Sequence, residues 1–291
     1  MMAARLILNA DDFGLTRGIN RAIAELHAAG ALTSATLMAN GPAFDDAVTI
    51  ALANPTLGVG CHIVLVDGTP VSPPEMIPSL LGADGKNFRP NVTDFFVAVL
   101  CGKLNADEIQ REALAQIHRL QAAGIHVTHI DTHKHTHVLP QVARPVLAAA
   151  ESAGIRAIRN PFEERWSLAL SNGPLLTRLK LRLLHPLRPR FLALPQIRER
   201  RILTTDGTIG ISVTGSLEAT TLHTFIDALP DGLWELVCHP GYNDRDLDSV
   251  ATRLRETRNV EREALLAVFA SNNVSEPQYQ LISYLEAGLG S

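Results

Sequence analysis

The sequence predicts an α/β protein, an irregular (β/α) barrel, in one domain over residues 1–291. Three observations predict it. Short apolar runs alternate with amphipathic stretches of helical period, the pattern of a parallel sheet with helical crossovers. Helices after most strands, in a chain of 291 residues, suit an irregular barrel better than an open sheet. Acids and histidines fall just after the apolar runs, and the carboxyl ends of parallel strands share the face that carries chemistry.

Each element has its own signal. Residues 4–10 are apolar and read as a strand, followed by a turn at Phe13-Gly14. Ile19, Ile23 and Leu26 at helical spacing predict a helix over 18–30, stopped by Gly30. Residues 33–38 are β-branched and apolar and predict the second strand. Residues 44–53 predict a helix that Pro55 ends. Residues 57–66 read as the third strand. An insertion over 67–106 follows, and its first part, 67–90, is rich in Pro and Gly and predicts a loop over the site. Ile109, Leu114, Ile117 and Leu120 predict an amphipathic helix over 107–123. Strands are expected at 126–131 and 155–159, with a helix at 140–154 between them. Residues 163–203 interleave arginines with leucines and prolines. They read as a helical excursion with a solvated face or subunit contact, or as a basic patch for an anionic membrane or a lipid-linked substrate. Prolines 186, 189 and 195 exclude one long interfacial helix.

Composition narrows the function. A net charge of −4 argues against an obligate nucleic-acid partner. No apolar stretch is long enough to span a bilayer, and no signal peptide is evident. Three cysteines, Cys61, Cys101 and Cys238, suggest a reducing cytoplasm rather than a disulfide framework. No dinucleotide fingerprint, phosphate loop or internal repeat is evident.

The candidate site comes from four segments. Asp11 and Asp12 stand at a strand end before a turn, where both can reach one cavity. One can ligate a divalent ion while the other takes a proton from water; otherwise the pair would cap the next helix. His62 follows Gly58 and Gly60, which allow backbone or ligand to approach closely, and is expected as a ligand. His129, Asp131, His133, His135 and His137 occupy every second position, so an extended chain would point all five to one face. Of the histidines, His133 is the expected ligand. The others are expected to contact substrate or orient the ligands. His239, before Pro240-Gly241, is a candidate general acid. Arg159 either orients Asp11 or pairs with a surface carboxylate. Cys61 and Cys238 precede site histidines, so they should face away, into packing.

These segments resemble the YdjC-like carbohydrate deacetylases. The matching runs are residues 8–15 (LNADDFGL), 58–62 (GVGCH), 128–137 (THIDTHKHTH) and 238–240 (CHP), in the family's order. The resemblance implies a distorted (β/α) barrel of the glycoside hydrolase/deacetylase type, a hydrolase that removes N-acetyl groups from amino sugars with one divalent metal, and a homodimer. It implies Asp12, His62 and His133 as metal ligands, Asp11 as base and His239 as acid. His135, His137, Asp131 and Arg159 are expected around the substrate. Magnesium is the expected ion, with zinc the alternative, since one carboxylate and two imidazoles tolerate either. Within the family, residues 64–74 and Lys134 resemble the hopanoid-biosynthesis-associated branch, HpnK. A chitooligosaccharide branch has histidine at the Lys134 position. The resemblance therefore implies an N-acetylglucosamine-containing glycan or glycolipid, including a hopanoid-linked one. Two other readings stand beside it. A metal-dependent phosphoesterase needs more carboxylate ligands than these segments supply. A non-catalytic carbohydrate-binding protein leaves the second carboxylate without a purpose.

Overall fold

The structure, a computed structural model, describes residues 4–270 and 279–287. Seven strands form one parallel sheet: β1 (Ala4–Phe13), β2 (Ser34–Leu37), β3 (Gly58–Ile63), β4 (Ile130–Thr132), β5 (Gly207–Ile209), β6 (Leu233–Cys238) and β7 (Tyr279–Leu281). The order is β4-β3-β2-β1-β6-β5, with β7 paired to the first residues of β1. Isolated parallel bridges Ile130–Ile158, Ala157–Leu203 and Glu163–Thr208 span the gap between β4 and β5. The sheet therefore curls toward a barrel whose closure is irregular, which is the α/β fold expected. Residues 155–159, expected as a strand, supply bridges rather than a ladder.

β1 is the central strand. Leu6, Ile7, Leu8 and Ala10 are at most 1% exposed, because a parallel strand with both faces covered reads as a continuous apolar run. Helices α1 (Arg17–Ala28), α2 (Phe44–Ala53), α4 (Ala106–Ala122) and α5 (Pro140–Ser152) follow β1, β2, the insertion and β4. The N-cap of α1 is Thr16, whose side chain accepts from the Ile19 amide at 3.2 Å. Asp11 and Asp12 are thus free of the capping role that the sequence left open.

The insertion is not all loop, since α3 (Val92–Leu100) lies within it. Carboxylates of α4 pin it down. Glu112, fully buried, accepts from the Val71 and Ser72 amides at 2.8 Å each, and Glu108 accepts from the Ser79 amide at 2.7 Å. The excursion over 163–203 is helical: α6 (Arg165–Leu170), α7 (Leu175–Leu184), α8 (Arg188–Leu192) and α9 (Pro195–Arg198). Pro189 and Pro195 sit in first turns, where a missing N–H costs nothing, so each starts a new short helix. Helices α10 (Ala219–Asp227) and α11 (Glu256–Phe269) flank β6 in the chain.

Candidate metal centre and acid–base site

β1 runs through the two acids instead of ending before them. Its register with β2 shifts between Ala10 and Phe13, and Asp12 takes φ +66°. Adjacent side chains in a regular strand point to opposite faces. The irregularity re-aims Asp12, so both carboxylates reach the same cavity. Asp is one of the few residues that adopt the left-handed region readily.

Asp12, His62 and His133 converge. The Asp12 Oδ1 lies 3.8 Å from His62 Nε2 and 3.5 Å from His133 Nδ1, and the two imidazole nitrogens are 3.2 Å apart. One carboxylate oxygen and two imidazole nitrogens within 4.8 Å of one another form a donor set that suits a divalent cation. The ligands are oriented from behind. His62 Nδ1 bonds Asp131 Oδ1 at 2.7 Å, which leaves Nε2 facing the cavity. Arg258 Nη2 donates to Asp12 Oδ2 at 2.6 Å. The opening is on the His133 side, whose side chain is 18% exposed against 1% for His62.

A second group, Asp11, His62 and Asp131, is also close enough to hold a cation. Its place for positive charge is already filled. The Arg159 guanidinium donates to Asp11 at 3.0 and 2.6 Å and contacts Asp131 at 2.6 Å and Glu235 at 2.8 Å. Thr36 Oγ1 adds a bond to Asp131 Oδ2 at 3.2 Å.

These charges set the protonation states. Burial alone would raise the Asp11 carboxyl, but Arg159 outweighs it and holds the group below the usual carboxylate range. Asp12 lies well below that range for the same reason, with Arg258 and His133 overcoming burial. Burial pulls the His62 imidazole down, and the carboxylates of Asp131, Asp11 and Asp12 more than reverse it, to about 9. Such a pocket attracts positive charge. Burial pushes Glu235 up to about 7, while Arg159 and the Tyr284 hydroxyl pull the other way.

His239 follows β6 directly. Its Nε2 is 3.7 Å from Asp11 Oδ2, and its backbone N–H donates to Glu261 Oε2 at 2.6 Å. The residues expected from β1, β3, β4 and β6 therefore meet at one place. Cys61 and Cys238 are fully buried, as expected.

The extended reading of residues 129–137 does not hold. β4 ends at Thr132, and 3₁₀ turns over His133–Val138 follow, with Lys134 and His135 at φ +55° and +51°. The five alternating residues do not share a face. His129 is fully buried, stacked on Tyr284 with ring centroids 3.7 Å apart. His137 is fully buried between Thr132 Oγ1 at 2.7 Å and the Arg159 carbonyl at 3.2 Å. Asp131 and Arg159 have no exposed surface either, whereas His135 is half-buried. The glycines before His62 make room for protein: a Cβ on Gly60 would lie 2.6 Å from the His129 ring.

Arg258, Glu261, Glu235 and Thr36 were not among the expected residues. Glu235 had a signal, as a lone carboxylate inside the apolar run 233–238. Arg258 and Glu261, on the polar helix α11, had none.

Residues 5–277 match the family model described as YdjC-like protein. A protein of Brevibacillus brevis named a carbohydrate deacetylase is 33% identical over 285 residues, covering 98% of this chain and 100% of its own. A Geobacillus stearothermophilus protein of the same name is 33% identical, covering 96% of each chain. A crystal structure from Enterococcus faecalis, of a protein named for cellobiose-phosphate cleavage, superposes with a TM-score of 0.79. It is 25% identical and covers 98% of this chain and 99% of its own.

Proposed function

The chain belongs to the YdjC-like family, and on that premise we propose that it is a metal-dependent hydrolase that removes N-acetyl groups from an amino sugar. The observation that carries this is the division of the two acids. Asp12 joins two imidazoles as a donor, while Asp11 stays outside that group, 3.7 Å from His239 and clamped by Arg159. Simple binding needs no such second carboxylate. The names of the relatives support the acyl-sugar reading over a phosphoesterase.

Asp12, His62 and His133 would hold the ion. When bound, such an ion supplies positive charge that acidifies water and polarises an acyl oxygen. Asp11, kept ionised by Arg159, accepts the proton of the attacking water. His239 donates to the leaving amine nitrogen, which otherwise leaves poorly. Asp131 fixes His62, and His135 meets the sugar. Asp131, His137 and Arg159 act from beneath. The substrate is an N-acetylglucosamine-containing glycan or glycolipid, with the resemblance of residues 64–74 and Lys134 supporting a hopanoid-linked one.

The test is acetate release from N-acetylglucosamine, diacetylchitobiose and an N-acetylglucosaminyl polyol lipid, before and after chelation and with metal restored. Metal-dependent release from any of them supports the reading, and the substrate that responds sets the branch. Release that survives chelation, or no release at all, sinks it. Hydrolysis of sugar phosphates with two or more ions per chain would assign a phosphoesterase instead.

A further inference from the structure

We infer that α7 is a docking surface for an anionic phospholipid bilayer. The helix has no buried residue. Leu175, Leu176, Leu179 and Leu183 are 74%, 72%, 50% and 71% exposed. At about 100° per residue these four leucines fall within an arc of about 100°. Lys180 lies about 40° beyond one edge of that arc and Arg182 about 20° beyond the other, and both are exposed. An apolar stripe bordered by cations is the cross-section of a helix lying in a membrane interface.

Charge argues for an anionic surface. No Asp or Glu occurs between residues 165 and 198, although Arg178, Lys180, Arg182 and Arg190 do (Arg188 is paired with Glu164 at 3.1 Å), in a chain whose net charge is −4. A second copy of the same helix would set like charges against each other, with no acid in the segment to pair them. The neighbouring groove repeats the combination. It has a volume of about 620 Å³ and is lined by Leu100, Leu139, Leu187, Leu194, Arg144 and Arg190. Apolar walls with two guanidiniums suit an acyl chain below an acidic headgroup.

Position matters as well. α7 packs against Ile211–Val213, the turn that follows the carboxyl end of β5. α7 therefore lies at the same end of the sheet as Asp11 and Asp12. Among the described residues no helix is long and apolar enough to cross a membrane, so contact through α7 would be peripheral.

The test uses the full chain and vesicles without any sugar, so its outcome is separate from the catalytic reading. The protein is co-sedimented with phosphatidylcholine vesicles and with vesicles that also contain phosphatidylglycerol. It should pellet with the second and not the first, and salt should release it. Lys180→Glu with Arg182→Glu should weaken partitioning at least about thirtyfold. Leu175→Ser with Leu179→Ser and Leu183→Ser should abolish it while circular dichroism stays native. Should the leucine variant misfold, the charge variant, at exposed positions, decides. Equal binding to both vesicles, no binding at low salt, or full binding by the charge variant overturns the inference. So does a wild-type dimer that the leucine changes convert to monomer, which would assign the face to a second copy.

Discussion

The Arg159 guanidinium grips the Asp11 carboxylate with two hydrogen bonds, Nη1 to Oδ2 at 3.0 Å and Nη2 to Oδ1 at 2.6 Å. The same group reaches Asp131 and Glu235, so one cation contacts all three acids of a buried cluster. Through Asp11 it touches the proposed base. Through Asp131 it reaches His62. The planar fork of arginine suits this multiple contact, and an ammonium would not reproduce it.

Removing that cation leaves buried carboxylates unpaired. Arg159→Met should destabilise the fold by about 3–5 kcal/mol, read by urea unfolding. Arg159→Lys should lose less stability but still misplace Asp11. A Met variant within about 1 kcal/mol of wild type, inside the range of an exposed pair, would show that the cluster is not held this way.

The two adjacent acids should fail differently. Asp12→Asn should weaken metal binding, read by calorimetric titration. Asp11→Asn should keep the metal and lower turnover by about 10²–10⁴, the worth of a general base. If Asp11→Asn removes the metal as Asp12→Asn does, or leaves turnover of the loaded protein unchanged, the division of roles is wrong.

The sequence shows some of this and hides the rest for physical reasons. The bounds of α2 are legible because apolar period and the Pro55 stop agree. Asp11, His62 and His239 are legible because acids and imidazoles are unusual next to buried strands. Alternation over 129–137 misleads, because nothing in residue type announces two consecutive left-handed residues at Lys134 and His135. Arg258 is illegible because a cation on an amphipathic helix looks like solvated surface until the helix is packed, and only then does it meet Asp12. Glu112 hides in α4 in the same way.

Buried neutral histidines should make the protein acid-sensitive. Burial lowers His129 to about 3 and His137 to about 4. Between those values and the ordinary 6.5, the unfolded chain binds more protons than the folded one. Their contribution is thus complete above pH ~6.5 and is lost on acidification. Glu235, raised to about 7, acts in the opposite sense, losing its contribution as pH rises. His129→Gln isolates one group. Across pH 6 to 4 the wild type should lose about 1.4 kcal/mol per pH unit more than the variant. Parallel stability curves would show that His129 is not held neutral.

Gly60 lacks a side chain where the His129 ring passes. A Cβ on Gly60 would lie 2.6 Å from His129 Cε1 and 2.7 Å from both ring nitrogens. The ring is held in place by Tyr284, which stacks on it with centroids 3.7 Å apart and planes within 13°. His129 Nε2 also bonds Asn9 Oδ1 at 3.2 Å, and Asn9 lies two residues before Asp11. Gly60 itself lies two residues before His62 on β3. Gly60→Ala should therefore cost about 1–3 kcal/mol as overpacking, and the displacement should pass along β1 and β3 to both Asp11 and His62. Unfolding midpoint and metal affinity should fall together. A stable variant with weakened metal binding would mean that β3 shifts as a unit; an unchanged protein would mean that the His129 ring has room that this packing denies it.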